Sequence, residues 1–202
     1  MLGAASTTLL FFLAFQTVYI YLATAIAPAT GGRADRLSLV LLVSGLASVA
    51  GSWLGGRLVD RVGVRRVLLV GSTVAALAFA ALPWAGRSMP GALAYAVVTP
   101  LAGWAVSVAL PHRLASLDPG NAQLLISLNS SALYLGTAAG GAVGSAAVAL
   151  FGGRWFPLAA AVLALVAAAT TWAGVDAPRA VRPSAASARR PVASLRADRP
   201  EQ

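Results

Sequence analysis

The sequence predicts an all-α membrane protein: six transmembrane helices over residues 1–175, followed by a polar tail over 176–202. Three observations lead to this fold class. Only 10% of the 202 residues are charged, whereas soluble domains carry about 25%. Hydrophobic residues make up 58% of the chain. The charged residues are confined to a few short stretches, so long windows without charge separate them.

Each charge-free window is long enough to cross a bilayer once. A helix of roughly 20 apolar residues spans the hydrocarbon core, which is about 30 Å thick. The windows lack the alternation of apolar and polar residues that outer-membrane β-strands show. They cover residues 1–32, 37–56, 67–86, 88–111, 121–153 and 155–175. Within them we predict helices over about 6–27, 37–58, 66–85, 90–111, 121–149 and 155–174.

Turn-forming residues mark the borders between the predicted helices. Pro28 and Gly31 end the first helix, and Gly86 separates the third from the fourth. Gly152 and Gly153 separate the fifth from the sixth. Proline removes a backbone donor and glycine tolerates sharp reversals, so both residue types interrupt helices.

The distribution of arginine predicts the orientation in the membrane. All fifteen basic residues are Arg, and six of them lie in the tail. With six crossings, four Arg fall on one side and eleven on the other, and cytoplasmic loops carry the excess of positive charge. We therefore expect an inner-membrane protein with both termini in the cytoplasm. The smaller group is Arg33, Arg36, Arg87 and Arg154; the larger is Arg57, Arg61, Arg65, Arg66, Arg113 and the tail arginines.

A charge cluster over residues 55–66 lies between the second and third predicted helices. It contains one acid, Asp60, among four Arg, and Gly63 permits a sharp reversal. Asp60 at a helix end can accept backbone N–H groups or pair with Arg. Composition alone leaves two interpretations equal: a functional loop, or a positively charged cytoplasmic loop with an incidental acid.

The order of residues in this cluster favours the functional interpretation. Gly56-Arg57-Leu58-Val59-Asp60-Arg61-Val62-Gly63-Val64-Arg65-Arg66 resembles the G-x-L-x-D-R-x-G-x-R-R loop of the major facilitator superfamily. In that family the loop joins the second and third helices of a six-helix half on the cytoplasmic side. The resemblance implies that this loop acts as a conformational latch; its residues here are Gly56, Asp60, Arg61, Gly63, Arg65 and Arg66.

A second resemblance covers the fifth predicted helix. Residues 128–136, Leu-Asn-Ser-Ser-Ala-Leu-Tyr-Leu-Gly, resemble the fifth helix of the C-terminal half in the drug:proton antiporter and sugar-efflux branch. The chain is thus similar to half of a major facilitator fold, with two inverted three-helix repeats over 1–86 and 90–174. The resemblance implies efflux of a small molecule by alternating access, which requires a second six-helix half, either a separate chain or a second copy of this one.

Small residues recur every fourth position on two predicted helices. Such faces let helices approach closely in lipid. Gly and Ala are common in this chain, so chance recurrence remains an alternative. The helix-packing candidates are Gly51 and Gly55 on the second helix, and Gly136, Gly140 and Gly144 on the fifth.

Four polar residues within the spans are candidates for lining a substrate cavity. Gln16 and Tyr19 share one face of the first helix, and Asn129 and Tyr134 lie on the fifth. Buried amides in a membrane mark a pathway, a substrate site or a hydrogen bond between helices. For each of the four residues taken singly, a hydrogen bond between helices is the more frequent explanation.

Several kinds of site are absent from the sequence. Arg57 and Arg66 lie at the ends of predicted spans, but no Asp, Glu, Lys, Arg or His lies in the interior of one, so the chain has no evident proton relay. It contains no Cys and no catalytic triad, carboxylate pair, phosphate loop or metal-ligand pattern. We therefore expect no enzymatic activity, no cofactor, no metal and no nucleic-acid partner. The alternative to transport is a non-transporting membrane scaffold or the product of a truncated transporter gene.

Overall fold

A computed structural model describes residues 2–117 and 119–173, and within them all regular structure is helical. The predicted tail, 176–202, lies outside the described residues. A short 3₁₀ turn, Pro119–Asn121, precedes the seventh α-helix. The eight α-helices in the described part of the chain are α1 Leu2–Tyr19, α2 Leu22–Ala25, α3 Ala27–Thr30, α4 Ala34–Val62, α5 Val64–Ala85, α6 Met89–Leu117, α7 Ala122–Trp155 and α8 Pro157–Ala173.

Within the described ranges, four helices are long and apolar enough to cross a membrane. They are α4, α5, the Met89–Arg113 part of α6 and the Gln123–Trp155 part of α7. Two shorter apolar segments, Ser6–Tyr19 and Pro157–Trp172, belong to α1 and α8. The predicted first span is therefore present as a broken series, α1 to α3, and not as one continuous helix.

Local backbone chemistry explains these interruptions. Pro28 lies in the first turn of α3, where its missing N–H costs little, and Gly31 ends α3 with a φ of 59°. Gly152 has a φ of 74° and a ψ of 164°, which are not helical values, so α7 is broken there. The predicted border between the fifth and sixth helices thus falls at Gly152, although helical hydrogen bonding resumes at once.

The connection between α4 and α5 is shorter than the sequence predicts. Helix α4 runs to Val62 and α5 begins at Val64, so the expected polar loop is reduced to Gly63, with a φ of 85°. The charged residues of the cluster are on helices because an arginine side chain can reach the aqueous boundary from a helical backbone. The guanidinium of Arg57, for example, lies 3.5 Å from the centroid of the Trp53 ring.

Two crossings of close-packed helices hold the bundle together. Helix α4 packs along α6, and α1 packs along α7. Helix α5 lies between α6 and α8, and α8 also contacts α1. The side chains buried most completely at these contacts are large and apolar; they include Phe11, Phe79, Phe156, Leu68, Leu82 and Leu110.

The outer surface of the bundle is strongly apolar. Leu46, Val49, Val70, Leu77 and Leu150 are each more than 60% exposed. A water-soluble protein does not carry so large an apolar surface without a partner. Lipid is the environment in which these side chains are stable, in agreement with the prediction of a membrane protein.

Candidate functional site: a cavity between four helices

A cavity of about 290 Å³ lies between α1, α4, α6 and α7. Helix α1 provides one wall, in which three aromatic residues follow each other every fourth position. The ring centroids of Phe11 and Phe15 are 6.3 Å apart, and those of Phe15 and Tyr19 are 6.1 Å apart, both in stacked arrangements. Phe12 and Gln16 complete this wall.

The opposite walls carry hydroxyl groups and small residues. Ser44 and Ser48 of α4 line the cavity, with Ser107 of α6 and Thr137 of α7. Ser48 Oγ donates a hydrogen bond to the Ser44 carbonyl at 2.8 Å, and Ser107 Oγ donates to the Gly103 carbonyl at 3.0 Å. The hydroxyls of Ser48 and Ser107 thus donate their hydrogen bonds within their own helices. Their oxygen lone pairs remain available to a donor in the cavity.

Gly103 has a specific steric role at the cavity. A Cβ atom at this position would overlap the ring of Phe15. Glycine therefore allows the α1 aromatic wall to lie directly against α6, next to Trp104 and Pro100.

Gln16 is the strongest polar group of the cavity. Its side chain is half-buried and its amide makes no hydrogen bond to any described residue. An amide offers two donors and an acceptor to a molecule that occupies the cavity. None of the described residues that line the cavity is charged. The arrangement can therefore bind a molecule with an apolar body and groups that hydrogen-bond to an amide or a hydroxyl.

The structure brings together two of the four residues predicted to line a cavity. Gln16 and Tyr19 both line it. Asn129 instead lies buried between helices, where its Oδ1 accepts a 2.8 Å hydrogen bond from Thr8 Oγ1. Tyr134 is 71% exposed on the outer face of α7 and does not line the cavity.

The glycine seams lie at the two close helix crossings. A Cβ at Gly51 would lie 2.9 Å from Leu101 Cα, and one at Gly55 would lie 2.6 Å from Ala105 Cα. At the second crossing, α7 approaches α1 through three glycines. An added Cβ would lie 2.6 Å from Leu9 O at Gly136, 2.6 Å from Gln16 Cβ at Gly140 and 2.9 Å from Thr17 O at Gly144.

Hydroxyl groups of α1 tie it further to its neighbours. Thr17 Oγ1 donates to the Leu13 carbonyl at 2.8 Å and lies 3.4 Å from the Gly140 carbonyl of α7. Thr7 Oγ1 lies 3.0 Å from Thr170 Oγ1 of α8. These contacts with α7 and α8 hold α1, and with it the aromatic wall of the cavity, in position.

The residues of the predicted latch lie around Gly63, away from the cavity. Asp60 and Arg61 are in the last turn of α4, Arg65 and Arg66 are in the first turn of α5, and all four side chains are exposed. Within residues 2–117 and 119–173, the ion pair of Asp35 with Arg33 is present but Asp60 forms none. Gly56 is half-buried one turn before Asp60.

Comparison with known proteins identifies the family. The profile of the Major Facilitator Superfamily matches residues 4–200. The chain belongs to the Major Facilitator Superfamily. It is 29% identical over 130 residues to the uncharacterized MFS-type transporter YbcL of Bacillus subtilis (strain 168). No solved structure matches the chain significantly.

The match to YbcL covers 64% of this chain and 33% of YbcL. The chain therefore spans about a third of the length of the curated relative it matches. Major facilitator membership and the apolar helices make this a multi-pass membrane protein. YbcL itself is described as an MFS-type transporter.

Sequence reasoning did not identify the serine and threonine residues of the cavity. Ser44 and Ser48 are one helical turn apart, and this spacing would place them on one face of α4. That spacing was a usable signal. The sequence holds no comparable signal for Thr137 or Ser107. Whether they line the cavity depends on which face of α7 or α6 turns toward α1.

Proposed function

We propose that the chain takes part in small-molecule efflux across the inner membrane, with the cavity between α1, α4, α6 and α7 as part of the substrate pathway. The observation that carries this proposal is the Gln16 amide, half-buried without a hydrogen-bond partner among the described residues, at a cavity in a member of a transporter superfamily. The aromatic wall and the lack of charged lining residues suit an uncharged or cationic aromatic molecule.

The pattern of helix contacts supports an arrangement of two inverted three-helix repeats. If α1, α4 and α5 correspond to α6, α7 and α8, then the α4–α6 contact corresponds to α7–α1. The α5–α6 contact corresponds to α8–α1, and α5–α8 corresponds to itself. All of these pairs are major contacts of the bundle. Inverted repeats of this kind place a binding site at their interface near the bilayer midplane.

Alternating access requires a second six-helix bundle to close the cavity. The Asp60 carboxylate is exposed and has no ion pair among the described residues, so it is available to such a bundle. We propose that Asp60 latches the cytoplasmic side by accepting hydrogen bonds from a helix end or an arginine across the interface. Arg61, Arg65 and Arg66 would orient it through charge. With six crossings and the connection between α4 and α5 on the cytoplasmic side, both termini lie in the cytoplasm.

The cavity is tested by efflux of ethidium, an aromatic cation, from cells that express the chain with and without a second bundle. Gln16→Leu should lower efflux about ten-fold while expression is retained, because the cavity then lacks its amide. Gln123→Leu is the matched control, since Gln123 is exposed near the start of α7 and does not line the cavity. Equal efflux by the two variants would contradict the role of the cavity, and no efflux in any combination would favour the scaffold alternative.

The latch is tested with the same efflux assay. Asp60→Asn should impair efflux without loss of protein from the membrane, because the amide keeps the size of the side chain but not its charge. Asp35→Asn is the control: it removes an exposed acid from the other end of α4, where Asp35 pairs with Arg33 at 2.8 Å. If Asp60→Asn transports as well as the wild type, Asp60 is not a latch.

A further inference from the structure

An apolar groove on the outside of the bundle is separate from the cavity described above. It has a volume of about 460 Å³ and is formed by α4, α5 and α6. Helices α4 and α5 are its walls, and α6 is its floor, with Leu101 and Ala102 at the base. The groove exists because α4 and α5 each pack closely on α6 but have little contact with each other.

One end of the groove is positively charged. Arg66 is the single charged residue among the described residues that line it. Around this end, residues 57–66 contribute four Arg and one Asp, a net charge of +3, and the side chains of all five are exposed. The rest of the lining is Leu, Val, Ala and Gly, so the groove combines one cationic end with an apolar channel.

The length of the groove matches the depth of one membrane leaflet. From Arg66 to Val74 the groove follows α5 for eight residues, or about 12 Å at 1.5 Å per residue. One leaflet contributes about 15 Å of hydrocarbon, half of the core of about 30 Å. A second apolar groove of about 350 Å³, on α5 and α6, shares Val74 and Val98 with the first and continues toward the other leaflet.

We infer that this groove is a specific binding site for an anionic phospholipid, with an acyl chain along α5 and the phosphate at Arg66. Charge complementarity decides the occupant. A zwitterionic lipid fills the apolar part equally well, but only an anionic headgroup gains net attraction from the Arg cluster. A protein helix lying along the groove would bury Arg66 against apolar side chains, which is unfavourable without a matching acid. The second bundle proposed above instead contacts Asp60, which does not line the groove.

The test is native mass spectrometry of the purified full chain with added phosphatidylglycerol or phosphatidylcholine. The wild type should retain phosphatidylglycerol in preference, and Arg66→Ala should weaken its binding about five-fold, as expected for one charge near a headgroup. Arg57→Ala is the matched control. Arg57 belongs to the same charged surface, but its guanidinium stacks on Trp53 and does not line the groove.

A second variant tests the apolar part of the site. Val74→Trp fills the point where the two grooves join and should reduce retention of phosphatidylglycerol without changing the net charge. The inference is overturned if the wild type retains both lipids equally, if Arg57→Ala weakens binding as much as Arg66→Ala, or if Val74→Trp has no effect. It is also overturned if a second copy of the chain, crosslinked through position 70, occupies the groove.

Discussion

Replacing Gly55 with alanine tests the close packing of α4 on α6. An added Cβ would lie 2.6 Å from Ala105 Cα and 3.2 Å from the Ala105 carbonyl oxygen. Non-bonded carbon atoms prefer a separation of about 3.5–4.0 Å, so the helices must separate by about 1 Å. Both obstacles are backbone atoms, which cannot rotate away as a side chain can. Such overpacking costs roughly 1–3 kcal/mol of the free energy of unfolding.

Gly56 offers a control in the same turn of the same helix. A Cβ at Gly56 meets no atom within 4 Å. Both alanine variants gain about 0.5–1 kcal/mol from better helix propensity. Because this gain is shared, the difference between them isolates the steric term, and Gly55→Ala should be less stable than Gly56→Ala by about 1–3 kcal/mol.

The free energies are measured by unfolding each variant in mixed micelles of sodium dodecyl sulfate and dodecyl maltoside. Fluorescence of the five Trp reports the transition. A difference of less than about 0.5 kcal/mol between the two variants would refute the packing argument. Independent effects of mutations on stability add only to within about that amount.

Two further predictions concern α1. Gly140→Ala should destabilise the bundle by roughly 1–3 kcal/mol relative to Gly141→Ala. A Cβ at Gly140 meets Gln16 Cβ at 2.6 Å, whereas one at Gly141 meets only a side-chain methyl at 3.5 Å. Unfolding in the same mixed micelles measures this difference. Thr8→Val should cost about 1–3 kcal/mol because it leaves the buried Asn129 Oδ1 without the hydroxyl that donates to it. Thr8→Ser keeps the hydroxyl and should behave close to wild type, and equal losses in both variants would contradict this.

The membrane class and the approximate positions of the long apolar helices could be predicted because they depend on local chemistry. The confinement of charge to short stretches follows from the low polarity of lipid, which excludes charge from the part of each helix that lies in the hydrocarbon core. The break at Gly152 follows from backbone freedom at a glycine. These features require no knowledge of which helix packs against which.

The ends of α4 were less predictable. The sequence places a polar loop over 55–66, but the helix continues through Arg57 and Arg61 to Val62. A charged residue marks where the lipid ends, and not where the helix ends, because arginine side chains extend along the helix to reach water. The hydrophobic boundary and the helical boundary are therefore different quantities.

The cavity was predictable on α1 and not on α7. Gln16 and Tyr19 are three residues apart, so they lie on one helix face and share the cavity. Asn129 and Tyr134 are five residues apart, so they point in different directions, and one is buried while the other is exposed. Which of those directions meets the cavity depends on the rotation of α7 against α1, which the glycine contacts determine.

Transport through the cavity between α1, α4, α6 and α7 requires that water can enter it from the membrane surface. The chain contains no Cys, so single cysteines can be introduced at Ser48, in the cavity, and at Leu77, on the outer face of α5. Both lie near the middle of their helices. A hydrophilic maleimide reacts with a thiolate, which forms only in contact with water.

If exposure alone set the rate of labelling, a cysteine at Leu77, which is 63% exposed, would react faster than one at Ser48, which is half-buried. We predict the opposite in membrane vesicles: rapid labelling of Ser48→Cys and little labelling of Leu77→Cys, because lipid covers the outer face and water enters the cavity. Labelling of Leu77→Cys at the faster rate, or of neither position, would contradict the pathway.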